Sequence, residues 1–220
     1  MGIPYEAIVF GALGEAYLPG KIIVTGDAAA TAANLIAHPT LFRMTFGTYL
    51  VEAICDIILC VLWYIVLRPV DRNLALVSAF VGVVSMITFA VAQSSFWASS
   101  VILKDAGGMT AFTEEQRHAL AYLSVRIATM IASLFLCFYG TASAIRGSLI
   151  MRSGYLPKVL GVLLVIGGAG FILRSVTYVF APAYGSSVML VPMAIAGIPL
   201  TLWLLVKGVD RAALAGSSQR

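Results

Sequence analysis

Charge is scarce in this chain. Lys and Arg number 14 and Asp and Glu 10, so 11% of 220 residues are charged, where a soluble globule carries about 25%. That excludes a separate soluble domain of ordinary composition. The net charge of +4 is read as loop charge that orients membrane proteins, not as affinity for nucleic acid. Histidine is rarer still. His38 and His118 fall in segments near the headgroups, whereas haem binding within a bilayer needs histidines deep in helices. The three cysteines, Cys55, Cys60 and Cys137, sit in apolar runs, which argues against a disulfide framework, and the Cys55–Cys60 gap is not a metal-ligand spacing. HExxH, GxSxG, GxGxxG and P-loop patterns are missing. No cofactor is therefore expected, and an enzyme is the weakest reading. The amino terminus lacks a basic n-region, and Glu15 interrupts its apolar run, so a cleaved signal peptide is a poor fit.

What the chain has is apolar length. It is 60% hydrophobic with a mean hydropathy of +0.97. A helix rises about 1.5 Å per residue, and a hydrocarbon core of ~30 Å needs roughly 20 apolar residues. Met44–Leu67 meets that requirement and carries two carboxylates, Glu52 and Asp56. They are four apart and so share a helix face, with Thr45, Thr48 and Cys60 on the same side. A carboxylate facing lipid costs at least ~2.5–3.5 kcal/mol, so this stripe is expected to face protein or a wet cavity. Its roles are either a proton, cation or ligand site or a structural ion pair.

Before it, Ile3–Leu18 reads as a first span ending at Pro19-Gly20, with an interfacial or re-entrant segment as the alternative. Thr25–Ala37 reads as a short extracytoplasmic helix with Asp27 as N-cap. After it, Leu74–Leu103 has no charge, and Ser78, Ser85, Ala92 and Ser99 recur every seven residues with Gly82 between. Small residues at that spacing allow close helix approach. Thr113-Glu114-Glu115-Gln116 predicts a capping box opening a helix that reaches Arg152. Arg126, Thr129, Ser133, Cys137, Gly140, Ala144 and Gly147 line one side of it at helical period. Leu160–Phe180 is a fifth span, with Gly167, Gly170, Arg174 and Thr177 on one side. Val188–Val206 is a sixth, with Pro192 and Pro199 expected to bend it.

The fold class expected is therefore all-α: a polytopic transmembrane bundle of about six spanning helices with short loops. It forms a single domain over residues 1–211, and 212–220 form a disordered tail. Loops 68–73 and 146–158 and the tail hold eight basic residues, Arg68, Arg72, Arg146, Arg152, Lys158, Lys207, Arg211 and Arg220, against Lys21, Arg43, Lys104 and Arg117 on the other side. The positive-inside rule then puts both termini in the cytoplasm. Arg174 lies six residues from the outer end of its helix, ~9 Å, and Glu52 about ten residues from its own, ~15 Å. Glu15, Glu52, Asp56, Arg126 and Arg174 are thus predicted to meet in the outer half of the bundle as an ion-pair or ligand cluster.

Several stretches together carry a resemblance: TGDAAATAANLIA at 25–37, LFR at 41–43, CD at 55–56, LRPVDRNLAL at 67–76, RSGYLPKVLGVLL at 152–164 and LWLLVKGV at 202–209. The chain resembles, from about residue 9 to 209, the bacterial membrane family known as domain of unknown function 4386. The resemblance implies a six-helix integral membrane protein and no activity. Departures are a first helix that looks clipped, as if Met1 were not the native start, no acidic residue near Gly197, and small residues with Arg126 where members carry histidine or aspartate. Two function classes stand: a non-enzymatic inner-membrane bundle or accessory subunit, with the bilayer and membrane proteins as partners, or a transporter or sensor using the charge cluster.

Overall fold

Short local signals set where the helices begin. Asp27 Oδ1 accepts from the Ala30 amide at 2.8 Å, satisfying one of the orphan donors at a helix start. Helix α1 therefore spans Ala28–Ala37. The chain turns at His38 and re-enters a helix at Pro39, where a missing amide costs no helical bond; α2 spans Pro39–Leu67. Helix α3 spans Arg72–Lys104, α4 Glu114–Ser153 and α5 Lys158–Phe180. A 3-10 turn, Ser187–Leu190, leads into α6, Val191–Val206. This computed structural model describes residues 21–104, 108–181 and 184–208. The expected first span, with Glu15, and the carboxy-terminal tail lie outside the described residues.

The capping box forms as the sequence predicts. Gln116 Oε1 accepts from the Thr113 amide at 2.9 Å, and Thr113 Oγ1 accepts from the Gln116 amide at 3.3 Å. Pro192 behaves differently from expectation. It stands in the first turn of α6, where it obstructs no bond, so Pro199 alone interrupts the amide ladder within that helix.

Five helical segments among the described residues are long and apolar enough to cross a bilayer: Pro39–Leu67, Arg72–Lys104, Glu114–Ser153, Lys158–Phe180 and Val188–Val206. Their surfaces carry large aliphatics in the open, among them Leu50, Ile58 and Val61 on α2, Phe80 on α3, Ile166 on α5 and Leu202 on α6. Exposed apolar surface on this scale marks a lipid-facing protein.

The chain divides into two compact units, and α2, α3 and α4 contribute to both. One contains α1 with residues 39–54, 88–104 and 114–132. Its core gathers Ile22, Leu35, Phe42, Phe96, Val125 and Ala128. Phe42 packs on Phe96 and Trp97 at ring distances of 5.1 and 5.2 Å, and Tyr49 meets Phe89 edge-on at 5.4 Å. Tyr122 on α4 accepts from the Gly26 amide at 2.8 Å, tying the turn before α1 to a long helix.

The other unit contains residues 55–87, 133–153, α5 and α6. Its core runs from Trp63 and Leu67 through Leu149, Ile150 and Leu160 to Met193 and Leu204. Helices α4 and α5 cross backbone to backbone. A Cβ built at Gly147 would fall 2.5 Å from the Gly161 carbonyl oxygen, and one built at Gly161 2.6 Å from that of Gly147. One helical repeat away, Gly140 and Gly168 meet in the same reciprocal way. Both helices offer glycine seven residues apart, so two crossings share one seam. At the far end of α4, Gly154 takes a left-handed conformation, φ +74°, which stops the helix and suits only glycine without strain.

Candidate functional site

The small-residue rhythm of α3 turns inward. Ser78, Ser85, Ala92 and Ser99 are all buried. In the second unit, Ser78 Oγ donates to the Ala142 carbonyl of α4 at 3.1 Å, which brings α3 against α4 one turn before Arg146. Gly82, one turn on from Ser78, then leaves a gap in the wall of α3. The Arg146 guanidinium fills it: a Cβ at position 82 would lie 2.5 Å from Nη2 of Arg146 and 2.6 Å from Sγ of Cys60. Arg146 is only 6% exposed. Its Nη2 donates to Cys60 Sγ at 3.3 Å. Its Nε, also buried, has no hydrogen-bond partner.

Asp56 supplies the opposite charge. It lies one turn before Cys60 on α2, and Arg146 is the cation that acts on it electrostatically. The two are within electrostatic reach rather than ion-pair contact. An arginine inside a spanning helix is expensive unless it faces the protein interior and a counter-charge, and α2, α3 and α4 together provide both. The hydroxyls nearby are committed to helix carbonyls: buried Ser85 donates to Gly82 at 2.6 Å, and half-buried Thr141 to Cys137 at 2.8 Å.

Of the other residues expected in the cluster, Glu52 lies one turn before Asp56 on α2. Glu52 is half-buried and Arg126 exposed, both in the first unit. Arg174, in the second, is half-buried with its guanidinium 5.6 Å from the centre of the Tyr178 ring, an aromatic contact that favours a cation. Glu15 lies outside the described residues. Of the histidines, His118 is 3.8 Å from Glu114 and His38 is exposed.

Arg146 is the correction to the sequence reading, which counts it with the basic loop at 146–158. Helix α4 runs to Ser153, so Arg146 lies two turns inside it and is buried. The signal was present: Gly82 sits between two inward serines, and Gly147 follows Arg146 directly. Space around a guanidinium must come from missing side chains.

A second polar contact closes one end of this unit. Tyr155 and Leu156, from the turn between α4 and α5, are 4% exposed. The Tyr155 hydroxyl donates to the Val66 carbonyl at 2.6 Å. That carbonyl is among the last four of α2, which lack helical donors. Its neighbours are served by the chain itself, Tyr64 by the Arg68 amide and Leu67 by that of Val70. Burial pushes the Tyr155 phenol up to about 12. The RSGYLP turn is thus a plug: Gly154 makes the bend, and Tyr155 and Leu156 enter the core.

This layout coincides with the stretches that carry the family resemblance, and the family signature for "Domain of unknown function (DUF4386)" matches residues 6–208. The chain belongs to the DUF4386 family. It is also similar to an uncharacterized protein of Archaeoglobus fulgidus, 27% identical over 135 residues, covering 61% of this chain and 66% of that relative. No solved structure matches it. Within this DUF4386 chain, the motif CD at 55–56 contributes Asp56 to the Arg146 site, and LRPVDRNLAL and RSGYLP form the two turns joined by Tyr155.

Proposed function

We propose that this DUF4386 protein is a non-enzymatic multi-pass protein of the bacterial inner membrane that works as a self-contained helix bundle. The observation that carries this reading is where the small residues go. The seams that suggested docking of partner helices are used inside the chain, at the Gly140–Gly168 and Gly147–Gly161 crossings and at Ser78, Ser85, Ala92 and Ser99. Large aliphatics remain outside, which suit lipid. Buried Ser78 and Ser85 donate to backbone carbonyls, a packing role rather than a chemical one. Without Arg146, eight flanking cations become seven, against four on the opposite side; this still favours cytoplasmic termini. Purification in mild detergent tests the proposal. A monodisperse single chain is expected, and a stoichiometric partner that survives purification replaces this reading with that of an accessory subunit.

The buried, unpartnered Nε of Arg146 beside Asp56 favours a second reading, transport or sensing of a proton or small ion through intramembrane charges. It is tested in proteoliposomes: proton uptake by the native chain that is lost in Asp56→Asn supports it, and uptake unchanged in that variant removes the site from any such pathway.

A further inference from the structure

Five helix ends of the second unit bring cations to one place. Arg68 follows α2, Arg72 opens α3, Arg152 closes α4, Lys158 opens α5 and Lys207 follows α6. All five are exposed. Their common location follows from the fold. The 154–157 turn is fastened to the last turn of α2, next to the 68–71 turn, by the Tyr155–Val66 bond at 2.6 Å. Leu204, one turn before Lys207, lies in the same core cluster as Leu67 and Tyr155.

Among the described residues, little there neutralises them. Asp71 is half-buried and already engaged, its Oδ1 accepting from the Leu74 amide at 3.0 Å as the cap of α3. Helix α5 starts differently. Pro157 gives it no side-chain cap, and its first turn contains no acidic residue. Among the described residues, the positive end of this 23-residue helix therefore has Lys158 in its first turn and no acidic residue there. Lys207 lies with Nζ 4.6 Å from the centre of the Trp203 ring, an aromatic contact that holds the cation at this helix end, while Trp203 itself packs against the core.

We propose that this collar is a binding site for the phosphate of an anionic phospholipid, with the headgroup seated on the α5 amino terminus between Arg152 and Lys158 and flanked by Arg68, Arg72 and Lys207. A free anion would need no greasy surroundings. The exposed apolar surface of Val159 and Val162 directly below Lys158 suits the acyl chains of a lipid, and this selects the lipid as occupant.

The test uses the full chain, delipidated in neutral detergent, with phosphatidylglycerol, phosphatidylcholine or inorganic phosphate added and the bound species read by native mass spectrometry. Phosphatidylglycerol is expected to bind in preference to phosphatidylcholine, and inorganic phosphate at millimolar concentration is expected not to displace it. Each cation removed, as in Arg152→Gln or Lys158→Gln, should weaken binding about fivefold. Lys158→Arg should retain it, and Arg43→Gln, an exposed cation of the other unit, should leave it unchanged. The four exposed substitutions leave the buried core untouched, so loss of binding with an unaltered melting curve reads the site and not the fold. Equal retention of the neutral lipid, displacement by phosphate, or equal loss in Arg43→Gln overturns the proposal.

Discussion

Replacing Gly147 by alanine should loosen the bundle although alanine is the better helix former. A Cβ at that position would lie 2.5 Å from the Gly161 carbonyl oxygen, 2.9 Å from Cγ2 of Val165 and 3.0 Å from the Val165 amide nitrogen. Two of these three are backbone atoms, so no rotamer change relieves the contact. Ordinary contact begins near 3.4 Å, and the difference, 3.4 − 2.5 = 0.9 Å, must come from moving α5 away from α4. A radial gap of 0.5–1 Å forfeits roughly a quarter to a half of the dispersion energy of each contact it opens, and the Gly140–Gly168 crossing on the same seam opens with it. Overpacking of this kind costs about 1–3 kcal/mol. Gly197→Ala is the control: nothing lies within 4 Å of a Cβ there, so that change keeps the propensity gain of about 1 kcal/mol without the clash. The difference between the two variants therefore isolates packing at about 1–3 kcal/mol, or roughly 2–12 °C in melting temperature for a chain of this size. Thermal unfolding in mild detergent, followed by circular dichroism, measures it. If Gly147→Ala melts with Gly197→Ala or above it, the backbone crossing is not what holds α4 to α5.

Further outcomes follow from the two polar contacts. Arg146→Leu should destabilise the fold because it removes the cation that acts on Asp56, and adding Asp56→Leu should recover part of that loss; a double variant as unstable as the sum of the singles shows that the two charges are not coupled. Tyr155→Phe should cost about 1–3 kcal/mol by leaving the Val66 carbonyl without its donor. The phenol holds its proton to about 12 in the fold but only to about 10 in the unfolded chain. The folded state therefore binds the extra proton between those values, and its stability is full below pH 10 and declines as pH rises toward 12. Unfolding at graded alkaline pH should show this decline in the native chain and a flatter response at that step in Tyr155→Phe.

Local and periodic signals were legible in the sequence because they need nothing from the rest of the chain. The Asp27 cap and the Thr113–Gln116 box are contacts over three residues, and the seven-residue beat of Ser78, Ser85, Ala92 and Ser99 marks a buried face whatever helix covers it. What could not be read depends on which helices become neighbours. Arg146 near the end of a helix looks like a loop charge by counting alone; only the gap at Gly82 on another helix makes room for it. Asp56 within a span shows from sequence alone that it needs a cation, but the cation that acts on it, Arg146, lies 90 residues away in sequence, from 146 − 56. Pro192 looks like a kink because it stands inside the Val188–Val206 span, but a 3-10 turn fills the start of that span, and a proline in the first turn of the helix that follows bends nothing.

The Tyr155–Val66 bond also sets an order of events during biogenesis. Its partners are 89 residues apart. At about 5–20 residues per second, the ribosome releases the acceptor roughly 4–18 s before the donor exists. Through that interval the hairpin of α2 and α3 carries an unanswered carbonyl at its corner, so its final seating waits for the second hairpin to arrive.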